Sequence, residues 1–299
     1  MKQSVIEIQN LAHRYGRHEA LHGLSLTVEP GCCYGFFGRN GAGKTTAIKC
    51  LLNLLRPQAG TVRVFGLDPR RDESAIKSRL AYVPDFVAFY PWMSVRESLD
   101  YQASFRPRWS RATEARLLAQ FKLDPAAPTS GLSKGQRTQL ALVGAIACEP
   151  ELLVLDEPTS GLDPMVRREF IRTIIGAYQE AAPGERTVFV STHLIAEFEG
   201  LIDRFTVLDQ GRSVLEANAD DARAKFRRFR ARFAEEAPPA AAFAAAKSVR
   251  RDGRNLELIV NGNGDALLAQ LNACRPASVE TESLSLEEIV VATVGGNVA

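Results

Sequence analysis

The spacing of apolar and polar positions changes several times along the chain. Alternation over residues 24–28 predicts a strand with one buried face. An apolar run at 33–37 ends in glycine and is followed by helical spacing as far as Pro57, which predicts a strand, a loop and a helix. The uninterrupted apolar run at 152–155 is typical of a parallel strand buried on both faces.

The same patterns continue through most of the chain. Further strands are predicted at residues 5–8, 61–65, 187–190 and 205–208. Further helices are predicted at residues 95–104, 111–121, 135–148, 166 to about 182, and 194–201. Strands that alternate with helices predict an α/β fold whose sheet is largely parallel and covered on both faces. The stretch from about 86 to 148 is helical in character and is expected to form a subdomain.

Composition shifts after about residue 216. An arginine-rich segment and an alanine-rich segment with a Pro-Pro pair come first. Alternation at 256–260 then predicts a strand, and helices are predicted at 265–273 and 286–294. We therefore predict a main domain at 1–216 and a small C-terminal α/β domain at 217–299.

The segment 223–233 interleaves arginine with phenylalanine, a combination also found in nucleic-acid-binding proteins. Phe229, Ala231 and Phe233 alternate as in a strand, whereas Phe226, Phe229 and Phe233 also fit a helical stripe. A solvated basic face is favoured over nucleic-acid or lipid binding, and no nucleic-acid partner is expected.

The overall composition is that of an ordinary soluble globular protein. Of the 299 residues, 45% are apolar and 24% charged, and the net charge is +2. The five cysteines form no CxxC pair, which favours free thiols in a reducing cytosol. No apolar run approaches the ~20 residues needed to cross a bilayer, so we expect another chain to supply any membrane part.

The segment from Gly38 to Thr45 fits the P-loop pattern G-x-x-x-x-G-K-[ST] in full. In such a loop backbone N–H groups surround phosphates, the lysine neutralises β/γ oxygens, and the hydroxyl faces Mg²⁺. The alternative is a glycine-rich turn, but the flanking strand and helix favour the phosphate loop. The residues expected at the phosphates of ATP are Gly38, Arg39, Asn40, Gly41, Ala42, Gly43, Lys44, Thr45 and Thr46.

An acidic pair completes this chemistry. Asp156 and Glu157 follow the apolar run at 152–155, and open α/β sheets bind ligands at the carboxyl ends of their strands. Asp156 is expected to hold Mg²⁺, and Glu157 to polarise the attacking water.

The pentapeptide Leu-Ser-Lys-Gly-Gln at 132–136 resembles the signature Leu-Ser-Gly-Gly-Gln of ABC transporter ATPases. Over about residues 3–216 the chain is similar to their ATP-binding subunits. The resemblance implies a P-loop NTPase core with an antiparallel β subdomain and a helical subdomain. It also implies that Ser133, Gly135 and Gln136 contact ATP held by a second copy.

Other motifs follow in the family's order. Ser160-Gly-Leu-Asp163 resembles the D-loop, which passes between two subunits. By resemblance, His193 is expected to contact the γ-phosphate and act in catalysis with Glu157 and Lys44. Tyr15 matches the aromatic that stacks on adenine, although a tyrosine packed in a hairpin is the alternative.

Two positions depart from the family's pattern. Lys134 replaces the third residue of the signature, a variation associated with exporter-type members. Asp85 stands where a glutamine usually links the metal site to the helical subdomain. A carboxylate could bind Mg²⁺ there, or Asp85 could turn to solvent as a loop residue.

The resemblance implies an ATPase that binds ATP and Mg²⁺ and acts as a homodimer. It would work peripherally on the cytoplasmic face of the membrane and drive a separate integral membrane permease, in the direction of export. The segment 86–104 resembles the surface that receives the permease. The alternatives are an ABC-type ATPase outside transport and an ATP-gated switch with weak turnover.

Overall fold

The computed structural model describes residues 3–179 and 186–295. Backbone contacts divide the chain into two units. The first comprises Met1–Leu194 and Leu208–Ser213, and the second Ile195–Val207 and Val214–Ala299. The domain boundary at residue 216 stays a prediction.

An antiparallel sheet of three strands opens the first unit. It contains β1 (Ile6–Tyr15) at its centre, flanked by β2 (His18–Val28) and by a strand at Ala59–Val64. The alternating side chains at the end of β2 are buried, as their spacing predicts. The first strand is longer than predicted because pairing with β2 continues to the Tyr15–His18 turn. The antiparallel subdomain implied by the resemblance is therefore confirmed.

A parallel sheet carries the chemistry-bearing motifs. Its strands in the first unit are β3 (Cys33–Phe37), β5 (Leu80–Val83), β6 (Leu152–Asp156) and β7 (Thr187–Thr192), where β4 is the strand at Ala59–Val64. They lie in the order β5-β6-β7-β3, all parallel. Every residue of β3, β6 and β7 is buried, which explains their uninterrupted apolar runs. The register places the carboxyl ends of neighbouring strands side by side.

The described part of the first unit contains six α-helices, three of which begin at a serine cap. They are α1 (Lys44–Leu51), α2 (Glu73–Lys77), α3 (Val95–Ala103), α4 (Arg111–Gln120), α5 (Lys134–Ala147) and α6 (Pro164–Gln179). Serines at positions 94, 110 and 133 cap α3, α4 and α5, and each accepts a hydrogen bond from a backbone N–H of the first turn. The predicted end of α6 near residue 182 lies outside the described residues.

A second antiparallel sheet, of four strands, dominates the second unit. The remaining elements are α7 (Ile195–Phe198), β8 (Arg204–Asp209), β9 (Arg212–Asn218), α8 (Ala219–Lys225), β10 (Phe226–Arg232), β11 (Ser248–Asp252), β12 (Asn255–Asn261), α9 (Gly264–Ala273), β13 (Ser278–Ser283) and α10 (Leu286–Gly295). The sheet order is β11-β12-β10-β13. The α/β character predicted for the C-terminal region is present.

The arginine- and phenylalanine-rich segment is a helix followed by a strand, since α8 ends where β10 begins. Phe229 and Ala231 of β10 enter the core of the second unit. On the opposite face Arg228 contacts Glu288 at 2.8 Å, and Arg230 lies 2.9 Å from Glu282. The basic face of this strand is therefore neutralised largely by glutamates on the same unit.

Within residues 3–179 and 186–295, no helix is long and apolar enough to span a bilayer. The five cysteines lie in the described part of the chain as thiols, and all except Cys274 are buried.

Candidate functional site

The phosphate loop lies between β3 and α1, and its glycines are required by close backbone approaches. Gly43 has φ 107°, and a Cβ atom there would lie 2.5 Å from the carbonyl oxygen of Ala20. A Cβ atom at Gly38 would lie 2.4 Å from the carbonyl oxygen of Leu208. Larger residues would force the loop open, so the glycines maintain the tight curl that directs N–H groups inward.

Lys44, the first residue of α1, is buried and folds back over the loop. Its Nζ donates to the carbonyl oxygen of Gly38 at 2.6 Å and to that of Arg39 at 3.3 Å. These contacts fix the ammonium inside the curl, where it faces any phosphate that the loop holds.

Asp156, the last residue of β6, is almost fully buried, at 1% exposure. Its Oδ1 accepts a hydrogen bond from Ser191 Oγ at 3.0 Å, whereas its Oδ2 is buried with no hydrogen-bond partner in the described part of the chain. Burial raises the pKa of Asp156, the hydroxyls of Thr45 and Ser191 oppose this shift, and the charges of Glu157 and Asp85 add to it.

Glu157 lies between a lysine and a histidine. Its Oε1 is 3.0 Å from Lys44 Nζ, and its Oε2 is 2.8 Å from His193 Nδ1. The backbone N–H of Glu157 donates to the carbonyl oxygen of Ser191 at 2.8 Å. The adjacent strand ends of β3, β6 and β7 thus bring Lys44, Glu157 and His193 into one connected group.

Asp85 lies two residues beyond β5 and is exposed. Because Val83 pairs with Leu155, this loop begins beside the end of β6. The charge of Asp85 contributes to the raised pKa of Asp156, so it acts on the acidic group without a direct hydrogen bond to it.

Asp156 and Thr45 fit a magnesium site that the phosphates of a nucleotide would complete. Mg²⁺ prefers oxygen ligands and is usually held by one or two carboxylates together with substrate phosphates and waters. Asp156 offers a buried carboxylate oxygen without a partner, and Thr45 offers a hydroxyl close by. No group of three or more potential metal ligands of the His, Cys, Asp and Glu types occurs among residues 3–179 and 186–295, so a magnesium site here would require the phosphates of a nucleotide.

The signature residues lie at the start of α5 and are occupied in capping it. The backbone N–H of Ser133 donates to Oε1 of Gln136 at 2.9 Å, and the backbone N–H of Gln136 donates to Ser133 Oγ at 3.2 Å. A Cβ atom at Gly135 would lie 3.4 Å from Val166, so the start of α5 packs against that of α6. These residues face the D-loop segment of their own chain, and the hydrogen bonds do not join them to Lys44.

Tyr15 lies at the turn between β1 and β2 with 47% of its surface exposed. Its ring makes an edge contact with His13, with ring centroids 4.8 Å apart. One face of the ring can therefore receive a planar group such as adenine. The β1–β2 hairpin is also present, so the alternative of a tyrosine packed in a hairpin stays open.

Comparison with known proteins agrees with this geometry. The family model described as ABC transporter matches residues 21–160. The daunorubicin resistance ATP-binding protein DrrA3 of Streptomyces coeruleorubidus is 34% identical, over 96% of this chain and 93% of that protein. The chain belongs to the ABC transporter ATP-binding proteins. The Nod factor export ATP-binding protein I of Burkholderia orbicola is 38% identical, over 72% of this chain and 71% of its own length.

A solved ATP-binding subunit of an ABC transporter has the same fold. It superposes with a TM-score of 0.66 at 27% identity, over 74% of this chain and 92% of that chain. The P-loop NTPase fold predicted from the sequence is confirmed. ABC transporter ATP-binding proteins bind ATP and hydrolyse it to drive transport, and this chain is a member of that family.

One member of the site is missing from the sequence-based prediction. Ser191 supplies both the hydroxyl that contacts Asp156 and the carbonyl oxygen that holds Glu157. The available signal is its position at the end of a buried strand, two residues before His193.

Proposed function

We propose that this ABC transporter ATP-binding protein hydrolyses ATP between two copies of itself and so drives export through a separate membrane permease. The observation that carries the proposal is the connected group of Lys44, Glu157 and His193 over a complete phosphate loop. A cation for phosphates, a carboxylate for water and a histidine for the γ-phosphate are the parts that phosphoryl transfer to water requires.

Each residue has a chemical task. Lys44 would pair with the β- and γ-phosphate oxygens, and Glu157 would then orient and polarise the attacking water. His193, held by Glu157, would contact the γ-phosphate, and Tyr15 would stack on adenine. Thr45 and Asp156 would hold Mg²⁺, which supplies charge neutralisation to the phosphates when bound. Asp85 is a third ligand candidate for that ion.

A second copy completes the site. The signature residues lie at the N-terminus of α5, where the helix dipole favours anions. They are Ser133, Gly135 and Gln136. Because the hydrogen bonds of Ser133 and Gln136 cap α5 and do not join them to Lys44, we propose that these residues contact ATP bound to the other copy. ATP would then hold two copies together, and hydrolysis would release them.

The permease would bind an aromatic groove in the helical part of the first unit. This groove has a volume of about 560 Å³ and is lined by residues of the β5 loop, α3 and α5. Tyr90, Tyr101 and Phe105 form a continuous series of ring contacts with centroids 5.7 and 5.0 Å apart. Trp92, 74% exposed, extends it by a contact with Tyr90.

Large exposed aromatic side chains in one groove are typical of a protein interface. A short amphipathic helix on the cytoplasmic side of a permease is the occupant we propose, which would place the chain at the inner membrane surface. Export as the direction is proposed from the relatives, which are named for drug resistance and Nod factor export.

Two experiments test the proposed function. The purified chain should hydrolyse ATP, and Lys44→Ala should abolish both turnover and ATP binding measured by calorimetry, because the charge on the phosphates is lost. Unchanged nucleotide binding in Lys44→Ala would refute the phosphate site.

The permease is tested by pulldown from detergent-solubilised membranes. The tagged chain should recover an integral membrane protein, and Trp92→Ala should reduce recovery while ATP hydrolysis by the isolated chain is retained. An ATPase that recovers no membrane protein would support the rival function outside transport.

A further inference from the structure

Lys134 occupies a position in the signature where the family usually has glycine, and its side chain reaches the D-loop segment 160–163 of the same chain. A Cβ atom at Gly161 would lie 2.8 Å from Lys134 Nζ, 3.7 Å from its Cε and 3.8 Å from its Cδ. The end of the lysine side chain therefore lies directly over the α-carbon of Gly161.

Lys134 is unusual for its local structure, whereas Gly161 is suited to its own. Lys134 is the first residue of α5, whose first turn contains no acidic residue. A cation at a helix N-terminus is disfavoured by the helix dipole, so helix stability does not explain this lysine. Gly161 has φ 69°, a left-handed conformation that glycine adopts without strain.

The surrounding contacts fix the two segments to each other. Gly135, next to Lys134, lies close to Leu162, which would be 3.9 Å from a Cβ atom there. Leu162 is buried, and its carbonyl oxygen accepts a hydrogen bond from Arg167 Nη2 at 3.0 Å. Asp163 Oδ1 caps α6 by accepting from the backbone N–H groups of Met165 and Val166. Gly161 and Lys134 are both exposed, and the lysine side chain lies against the Gly161 turn at the surface.

We propose that Lys134 is a positioning residue that covers the Gly161 turn and holds the D-loop segment in register with the signature. This inference rests on the proposed function, because both segments would face the ATP site of the second copy. A fixed turn would place both at that site together, so that closure of the dimer sets the geometry for hydrolysis. Loss of the side chain would affect turnover more than ATP binding.

Kinetics of the full-length chain test the positioning role. Lys134→Gly should lower kcat about 5-fold, since small misplacements of catalytic geometry cost this much or more, while the KM for ATP and the melting temperature stay at the wild-type values. Lys134→Met retains the length of the side chain and should retain most of kcat. The control is Lys122→Gly, which removes an exposed lysine that follows α4 in a left-handed conformation (φ 52°) and should leave kcat unchanged.

A double-mutant cycle with Gly161→Ala tests the contact itself. The alanine places a Cβ atom against Lys134 and strains the turn, so the single variant should lose kcat. The strain is common to both backgrounds and cancels in the cycle. In the Lys134→Gly background the further loss should be smaller. Effects that multiply, or a wild-type kcat in Lys134→Gly, would overturn the proposal.

Hydrogen exchange of the nucleotide-free chain provides a test that does not depend on ATP hydrolysis. Lys134→Gly should speed exchange of backbone amides in residues 160–162 by at least about 3-fold relative to wild type and to Lys122→Gly. Unchanged exchange there would refute the contact. Failure of the wild-type chain to hydrolyse ATP would instead refute the proposed function, and the exchange result would still decide the role of Lys134.

Discussion

The Lys44–Glu157 ion pair predicts that Glu157→Gln changes ATP affinity and turnover in opposite directions. In the structure the Lys44 ammonium lies 3.0 Å from Glu157 Oε1, and both side chains are largely buried. Phosphate oxygens must compete with this carboxylate for Lys44. Removing the charge of Glu157 should therefore strengthen ATP binding, while it removes the group that we propose polarises the attacking water.

The magnitude follows from two opposing terms. Opposite charges 3.0 Å apart attract by about 5 to 6 kcal/mol at an effective dielectric of about 20. Desolvation of the two buried ions offsets most of that attraction. A net competition of about 1 kcal/mol corresponds to roughly 5-fold tighter ATP binding in Glu157→Gln. Turnover should fall by at least ~100-fold, the scale of lost general-base assistance.

Calorimetry with a non-hydrolysable ATP analogue measures the affinity of both proteins, at a concentration where light scattering shows monomers. Steady-state phosphate release measures turnover, and size exclusion with ATP should show a trapped dimer of Glu157→Gln. The control is Glu149→Gln, which removes the same charge from an exposed position after α5.

Two results would refute the reasoning. Weaker analogue binding in Glu157→Gln would show that the carboxylate supports the lysine instead of competing for it. Turnover near that of wild type would show that Glu157 does not polarise the water. A gain in affinity in Glu149→Gln as well would reduce the effect to overall charge.

Three further predictions follow from named contacts. Because the pKa of Asp156 is raised, the folded chain binds the proton of this carboxyl more tightly than the unfolded chain does. The stabilisation that this proton provides is lost as pH rises through the folded pKa. Asp156→Asn should therefore raise the melting temperature at neutral pH without nucleotide, by an amount that shrinks on acidification, and should abolish ATP hydrolysis. Glu114 is 1% exposed and accepts hydrogen bonds from Trp109 Nε1 at 2.6 Å and Arg111 Nη1 at 2.8 Å, which join α4 to its surroundings. Glu114→Gln should lower the free energy of unfolding, measured by chemical denaturation, by about 3 kcal/mol. An unchanged denaturation midpoint would contradict this. Asp85→Asn should raise the Mg²⁺ concentration needed for half-maximal turnover if Asp85 faces the ion, whereas an unchanged titration would make it a solvent-facing loop residue.

Much of the fold could be predicted because local and tertiary signals agree. The starts of α3, α4 and α5 were predictable within a residue, since a serine cap precedes each apolar stripe. The buried strands β3, β6 and β7 are apolar throughout and leave little ambiguity.

Other strands could not be predicted because they are defined by pairing with strands that are distant in the sequence. β13 is largely exposed on both faces, so it has no clear alternation and is a strand because it pairs with β10. β5 has only four residues and is defined by its pairing with β6. The segment around Phe226 fits two periodicities because a helix changes to a strand there.

Some residues of the candidate site could be predicted from the sequence, and others could not. Strand ends predict that Asp156, Glu157 and His193 meet, because neighbouring parallel strands finish at one edge. Ser191 could not be singled out, since a serine at a strand end carries no motif of its own. The cover of Gly161 by Lys134 depends on how α5 packs against α6, which spacing alone does not reveal.

Backbone strain at Glu157 explains why its carboxylate lies where three strand ends converge. Glu157 has φ 47°, a left-handed conformation that costs a residue with a Cβ atom roughly 1 to 2 kcal/mol. The hydrogen bond from its N–H to Ser191, together with the contacts of its carboxylate to Lys44 and His193, holds it in that conformation. Such strain persists where the surroundings over-determine it, and it is common at functional sites. An extended residue after β6 would instead place its side chain on one of the two faces of the sheet. The left-handed turn at Glu157 places the carboxylate between His193 and Lys44, so the backbone fixes the contacts on which the proposed role of Glu157 depends.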